Sequence, residues 1–476
     1  MIKQTAFDLI VIGTGTAGST AAAECRSKGW EVAIVDSLPF GGTCALRGCE
    51  PKKILHEAAK IIDSILRQQD KGVKGSKSIL INWPDLIRYK RTLIGSFPKH
   101  REESYIKSGI VPFHGKANFI GPTTVKVEGK DCDSDGDTVL EGKHILIATG
   151  ARPADLNFEG SKNIFTSDQF LDFDADHLPD KIVFVGGGYI SFEFAHIAVH
   201  AGCKEVTILH RGKQPLGHFD LDLVNQLIQR SQDIGIAIKL QATVKRIDFS
   251  DDGEKTVMYS EDFTSQGEDK TFKTLKADMV VHGAGRVPNT EELDLTAGGI
   301  EYNEMGVKVN EFLQSISNPV VYAAGDVAAT AKSGGSPLTP VASYDGNIVA
   351  NNLLNGNTHK TNYKGLPNVV FTIPSLASVG LQESEAKDQG FQFKVNHKNT
   401  SGWYSSRRVG ETCSGFKVLV EEGSDRILGA HLLGPHSEEV INLFSVAIRL
   451  GLTAKDLNDP ILYAYPTNSS DIVYML

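Results

Sequence analysis

An apolar strand that runs into a glycine-spaced turn and then an alanine-rich helix occurs near the start of this chain. The arrangement returns about 170 residues later. Residues 7–12 read as a buried strand leading into Gly13-Thr14-Gly15-Thr16-Ala17-Gly18, and a helical stretch follows to Lys28. In that setting Gly13 allows the tight turn, Gly15 lets backbone approach a pyrophosphate, and Gly18 lets helix pack on strand. A second strand over residues 31–35 ends in Asp36, where a carboxylate is placed to accept hydrogen bonds from a ribose. The pattern requires a parallel α/β sheet with a dinucleotide at its edge.

The second copy has a strand over residues 182–185, then Gly186-Gly187-Gly188-Tyr189-Ile190-Ser191, then a helix carrying Glu193, Phe194 and Ala195. Its next strand, 206–209, ends in His210-Arg211-Gly212-Lys213 instead of an acid. Cationic groups at that position suit a ribose 2′-phosphate, so the second site is expected to take NADPH in preference to NADH.

Between the two copies stands Gly41-Gly42-Thr43-Cys44-Ala45-Leu46-Arg47-Gly48-Cys49-Glu50-Pro51-Lys52-Lys53. Pro51 suits the first helical position, and apolar Ile54, Leu55, Ala58, Ile62, Ile65 and Leu66 continue the helix. Cys49 therefore falls at a helix N-terminus, where the partial positive charge favours thiolate. A nicotinamide delivers its two electrons as a hydride, and a thiol pair needs an intermediary to receive them. That is flavin chemistry, so the first site is expected to hold FAD, with Gly42 and Thr43 beside it.

Composition narrows the partners. Lys and Arg total 49 against 58 Asp and Glu, a net charge of −9, which argues against nucleic acid and anionic membrane. No apolar run approaches the roughly 18 residues of a membrane span, and a cytoplasmic enzyme is expected. Cys25, Cys132, Cys203 and Cys413 show neither metal nor disulfide spacing. Asp131, Asp133, Asp135 and Gly136 imitate the opening of a calcium loop, but position twelve is Gly142 where a bidentate Glu is required. No metal site is expected.

These motifs, together with Ala148-Thr149-Gly150, Gly285-Arg286-Val287-Pro288-Asn289, Ala324-Gly325-Asp326 and Leu338-Thr339-Pro340-Val341-Ala342, resemble the pyridine nucleotide-disulfide oxidoreductases. That family includes glutathione reductase, dihydrolipoamide dehydrogenase and mercuric reductase. The resemblance implies two Rossmann-like dinucleotide-binding domains and an α+β C-terminal dimerisation domain, in an α/β chain that works as a homodimer. It implies an FAD domain over 1–155 and 281–358, an inserted NAD(P)H domain over 156–280, and an interface domain over 359–476. By the same likeness Asp326 holds the ribityl chain, Ala117 meets the adenine through its backbone, and Thr339 lies near the flavin ring. Gly150 and Gly285 belong to the motifs that close the nucleotide sites, and Tyr189 covers the nicotinamide pocket. Lys52 or Lys53 sits beside the flavin with Glu193 as ion partner. Cys49 is then the thiol next to the flavin, and Cys44 the interchange thiol facing substrate.

The C-terminus departs from the pattern. Disulfide reductases of the family carry His-Pro-Thr followed shortly by Glu, supplied across the dimer, where this chain has Tyr465-Pro466-Thr467-Asn468-Ser469-Ser470-Asp471. With an ordinary pKa of about 10, Tyr465 is a poor base at neutral pH. Asn347 also stands where glutathione reductases carry a substrate-binding arginine. The expected reaction passes electrons from NADPH through FAD and the cysteine pair to a small-molecule or small-protein disulfide, a thiophilic metal ion or another electrophile. The alternatives are a redox-sensing flavoprotein with slow turnover that acts by binding a partner, and a dihydrolipoamide dehydrogenase-like enzyme using NAD.

Overall fold

The strand expected over residues 7–12 extends over Lys3–Ile12 and lies inside a seven-stranded sheet. The computed structural model describes residues 3–75, 78–129, 137–250, 253–261 and 271–476. The calcium-like run at 131–136, with Cys132, lies outside the described residues. The chain divides into two compact units: residues 1–52, 89–154 and 286–363 in the first, and 53–88, 155–285 and 364–476 in the second.

In the first unit, Lys3–Ile12 pairs in parallel with Val32–Asp36 and Thr138–Ile147, and Val321–Ala323 joins Thr138–Ile147, also in parallel. An antiparallel pair, Lys116–Gly121 and Thr124–Glu128, extends the other edge. The strands read as continuous apolar runs because both faces are covered. Leu9, Val11, Val32, Ile34 and Leu146 pack with Ala17, Ala21 and Ala22 of the helix Thr16–Ser27 on one face. Ile10, Ile12, Ala33, Val35 and Ile147 join Phe119, Val125 and Leu293 on the other. Each fully buried aliphatic side chain contributes about 1.5–3 kcal/mol, so the glycine turn at the strand's end is mounted on a firmly buried strand.

In the second unit, Ile236–Lys239, Glu205–Leu209, Lys181–Val185 and Met279–His282 form a parallel sheet in that order. A three-stranded antiparallel sheet, Ala242–Phe249, Lys255–Glu261 and Thr271–Ala277, accompanies it. The C-terminal part holds a five-stranded antiparallel sheet in the order Pro367–Val370, Ser375–Gly380, Ile427–Gly434, Gly415–Glu421 and Phe393–Asn399. The helix Ser437–Leu450 buries Val440, Ile441, Phe444 and Ala447 in the core of that part.

Residues 53–88, expected with the first nucleotide domain, group with the second unit. Leu55 and Ala59 enter a core with Phe192, Ile197 and Leu223, and Trp83 Nε1 donates to the Phe173 carbonyl at 2.9 Å. No helix among the described residues is long and apolar enough to cross a membrane.

Candidate functional site

The first glycine turn is built by close approach. Gly13 has φ +111°, and a Cβ there would lie 2.3 Å from the Ala148 carbonyl oxygen. At Gly18 a Cβ would lie 2.1 Å from the Gly13 carbonyl oxygen, whereas at Gly15 the nearest atom is 4.0 Å away. The turn is thus tight where it meets protein and roomy where a pyrophosphate would lie. Asp36 holds this turn: its Oδ2 accepts from Thr14 N at 2.8 Å and Thr14 Oγ1 at 2.6 Å, and its Oδ1 accepts from Leu38 N at 3.0 Å. Thr14 Oγ1 in turn accepts from Gly41 N at 3.1 Å. Thr14 occupies an unrestricted position of the motif, so nothing in the sequence marks it.

That last bond leads into the cysteine segment. Gly42 has φ +72°, and a Cβ on it would lie 2.5 Å from Gly15 Cα, so the two backbones touch. What reads as a loop around Cys44 is a short helix, Gly42–Arg47, broken at Gly48. The next helix, Cys49–Arg67, begins at Cys49, which places Pro51 third in its first turn, where an amide hydrogen is still dispensable. Cys44 and Cys49 are free thiols. Cys49 Sγ lies 3.5 Å from Thr339 Oγ1, at the start of the helix Thr339–Asn355. The neighbouring Cys49 thiol, and burial after it, raise the Cys44 pKa above the ordinary thiol range.

Nearby in the fold, Asp326 sits in the short helix Gly325–Val327, its carboxyl pushed up by burial. Asp345, which the motifs do not mark, steadies that helix by accepting from Gly325 N at 3.1 Å and Tyr363 Oη at 2.8 Å. Burial raises Asp345 to about 6. Ala117 is buried opposite Val127 in the antiparallel pair. Gly150, with φ +67°, accepts from Asn289 N at 2.9 Å. Lys52 N bonds to the Gly48 carbonyl at 3.1 Å and so continues the helix. The open turn, the acid at the strand end and the second buried acid suit FAD, whose pyrophosphate and polyol need these groups.

In the second unit Gly186, with φ +113°, repeats the tight approach: a Cβ would lie 2.3 Å from the Gly283 carbonyl oxygen. The third glycine position holds Ser191, and the requirement has moved to the facing strand end, since a Cβ on Gly283 would lie 2.0 Å from Ser191 Oγ. Gly188 precedes the helix Tyr189–His200, whose first residue, Tyr189, is 44% exposed. Gly285 has φ +112°, and a Cβ there would enter open space. Glu193 is buried and accepts from Phe371 N at 2.8 Å, while Lys53 Nζ lies 4.2 Å from the centre of the Phe371 ring. Phe371 is therefore touched by both Glu193 and Lys53.

The basic loop corrects one expectation. Arg211 and Lys213 are exposed, but His210 is turned inward, with Nε2 2.9 Å from the Gln214 carbonyl oxygen. Burial lowers its pKa, which disfavours the charged ring.

At the C-terminus Tyr465 is 82% exposed on the rim of a cavity of about 420 Å³, with Trp403, Tyr404, Arg408, Asp471 and Tyr474 among its walls. Ser470, at the family's Glu position, donates to the Thr467 carbonyl at 2.6 Å and caps the local turn. Asp471 is the acid here; burial raises its pKa, against a hydrogen bond with Ser405. Among the described residues no cluster of three or more His, Cys, Asp or Glu is arranged to hold a metal.

Residues 7–346 match the pyridine nucleotide-disulphide oxidoreductase family, and residues 366–476 match its dimerisation domain. The chain is 32% identical to a glutathione reductase of Burkholderia cepacia, over 98% of both chains. It is 31% identical to a mercuric reductase of Staphylococcus aureus, over 95% of this chain and 79% of that one. It also resembles the Cu(II) complex of RclA from Escherichia coli, a HOCl-induced flavoprotein disulfide reductase, with TM-score 0.84 and 26% identity over 99% of each chain.

Proposed function

This chain belongs to the pyridine nucleotide-disulphide oxidoreductase family, enzymes that use FAD and a pyridine nucleotide, and from that premise we propose a specific reaction. It oxidises NADPH and reduces, through Cys44 and Cys49, an acceptor that needs no histidine base: a thiophilic metal ion, a quinone or a disulfide of low thiol pKa. FAD, when bound, supplies the two-electron link between nicotinamide and thiols. The observation that carries the reading is the contact of Gly42 on Gly15, which seats the thiol pair beside the first dinucleotide turn.

The division of labour follows the motifs. Residues 1–155 and 281–358 serve FAD, 156–280 serve NADPH, and 359–476 pair two copies. Gly13, Gly15, Gly18, Asp36 and Asp326 would hold FAD, and Lys52 or Lys53 would offer it a cation. Arg211 and Lys213 would grip the 2′-phosphate.

With a disulfide acceptor, the Cys44 thiolate attacks one sulfur, the acceptor bond breaks, and the departing thiolate takes a proton. Cys49 then attacks the Cys44 sulfur, releasing the second thiol and leaving the Cys44–Cys49 disulfide, which two electrons from NADPH reopen. The upward pressure on Cys44 makes the first step depend on a proton acceptor. Tyr465 is a poor one, and a histidine base typically contributes about 10²–10⁴-fold.

The test is anaerobic NADPH consumption by the holoenzyme. Glutathione disulfide is expected to turn over weakly, and Hg(II), a quinone or an aromatic disulfide faster, with Cys44→Ser losing disulfide turnover. Efficient reduction of glutathione disulfide by the unmodified enzyme refutes the proposal.

A further inference from the structure

The loop after the second ribose strand is held far more tightly than its polar composition suggests. His210 N donates to the Lys239 carbonyl at 2.9 Å, and its carbonyl accepts from Ala242 N at 2.8 Å, so the backbone at 210 is fixed to the strands around it. Two further bonds fasten the loop: Gln241 N to the Gly212 carbonyl at 3.0 Å, and Leu216 N to the Gly187 carbonyl at 2.9 Å. Gln241 (φ +52°) and Leu216 (φ +51°) are non-glycine residues in the left-handed region. Such conformations cost free energy and persist only where the surroundings over-determine them.

The imidazole lies at the centre of this arrangement. A Cβ on Gly187 would lie 2.6 Å from both Cγ and Nδ1 of His210, and one on Gly212 would lie 2.7 Å from Nε2. The ring therefore occupies the space that these two glycines leave open. One glycine belongs to the pyrophosphate turn and the other stands between Arg211 and Lys213. Nε2 faces the Gln214 carbonyl at 2.9 Å. A carbonyl only accepts, so Nε2 carries the hydrogen, and in the neutral ring Nδ1 is an acceptor. The Nε2 hydrogen is thus already engaged within the loop.

We propose that His210 is a positioning residue for coenzyme selectivity: it locks the loop bearing Arg211 and Lys213 onto the Gly186–Gly188 turn and so fixes where a 2′-phosphate is gripped. The proposal deepens the NADPH reading and rests on it. With the backbone pinned at 210, 212, 214 and 216, the two exposed cations start from a fixed base. Less conformational freedom is then lost when they close on phosphate. Without the ring, the loop must be ordered at the expense of the 2′-phosphate contact, whereas NADH makes no such contact.

The experiment measures kcat/KM for NADPH and NADH in the holoenzyme, together with the dissociation constants of adenosine 2′,5′-bisphosphate and 5′-AMP. His210→Ala is expected to lower the NADPH-to-NADH ratio about tenfold, the size of one charge-assisted contact, through KM for NADPH. His210→Gln, which keeps a donor for the Gln214 carbonyl, is expected to recover most of that ratio. Gly212→Ala, which presses on Nε2, is expected to lower it and to weaken the bisphosphate more than 5′-AMP. That arm decides the matter if His210→Ala does not fold. A proportional loss with both coenzymes, or an unchanged ratio in a wild type that prefers NADPH, overturns this proposal alone. A wild type with no NADPH preference overturns the coenzyme reading and this proposal with it.

Discussion

Asp63 lies on the helix Cys49–Arg67, the one that begins at the redox cysteine, and Asp63→Asn is expected to loosen that helix's far end measurably. Its side chain is 4% exposed and meets Arg67 Nε at 2.6 Å, Arg230 Nη2 at 2.7 Å and His200 Nε2 at 3.5 Å. Burial alone would raise the carboxyl, but the hydrogen bond from His200 and the two guanidinium groups overcome it and hold the pKa at about 2. Relative to 3.8, at about 1.36 kcal/mol per unit, the charged form is favoured by roughly 2.5 kcal/mol in the folded state. Removing one partner of a buried ion pair typically costs about 3–5 kcal/mol. Asn keeps the size, and Glu411, 3.7 Å from Arg67, still balances part of the charge, so the lower figure is the expectation. For a cooperative unit of this size, the thermal midpoint should fall by about 4 °C at pH 7. Because the folded pKa is depressed, this contribution is fully present above the unfolded pKa and is lost as pH falls through the folded one. The gap between wild type and Asp63→Asn should therefore hold down to about pH 4 and halve by about pH 3. Circular dichroism melts across that range make the comparison. Equal midpoints at pH 7, or a gap that widens on acidification, refute the reasoning.

Other outcomes follow from the sites. Gly42→Ala sets a side chain at φ +72° with its Cβ 2.5 Å from Gly15 Cα; purified variant should retain well under one FAD per chain by absorbance. Gly29→Ala, at φ +89° with open space, should cost about 1–2 kcal/mol in a melt and keep its FAD. Arg211→Glu should erase a tenfold to hundredfold preference for NADPH in steady-state kinetics. Tyr465→His should raise glutathione disulfide turnover by restoring a base at the exposed rim of the C-terminal cavity, and no gain would show that the base is not what limits that acceptor.

The parallel strands were legible because burial on both faces leaves continuous apolar runs, and each glycine turn because only glycine fits its backbone. The short helix at Cys44 was not: Gly41, Gly42 and Gly48 bracket it, and glycines at both ends read as loop. Asp63 and Arg67, four apart, look like an ordinary surface pair, since their partners at 200, 230 and 411 are remote in sequence. His210 beside Arg211 and Lys213 looks like a third cation for the same reason. Its burial depends on Gly187 and on a carbonyl four residues ahead. Phe371 and Asp345 belong to no quoted motif, and only the fold brings them to Glu193 and Gly325.

The central claim, that Cys44 and Cys49 are the thiols NADPH reduces, is tested most directly by anaerobic alkylation and peptide mass spectrometry of the air-oxidised holoenzyme before and after one equivalent of NADPH. The account predicts that two alkyl groups per chain appear, on Cys44 and Cys49, while labelling of buried Cys25 and Cys413 does not change. New labelling elsewhere, or none at this pair, contradicts it.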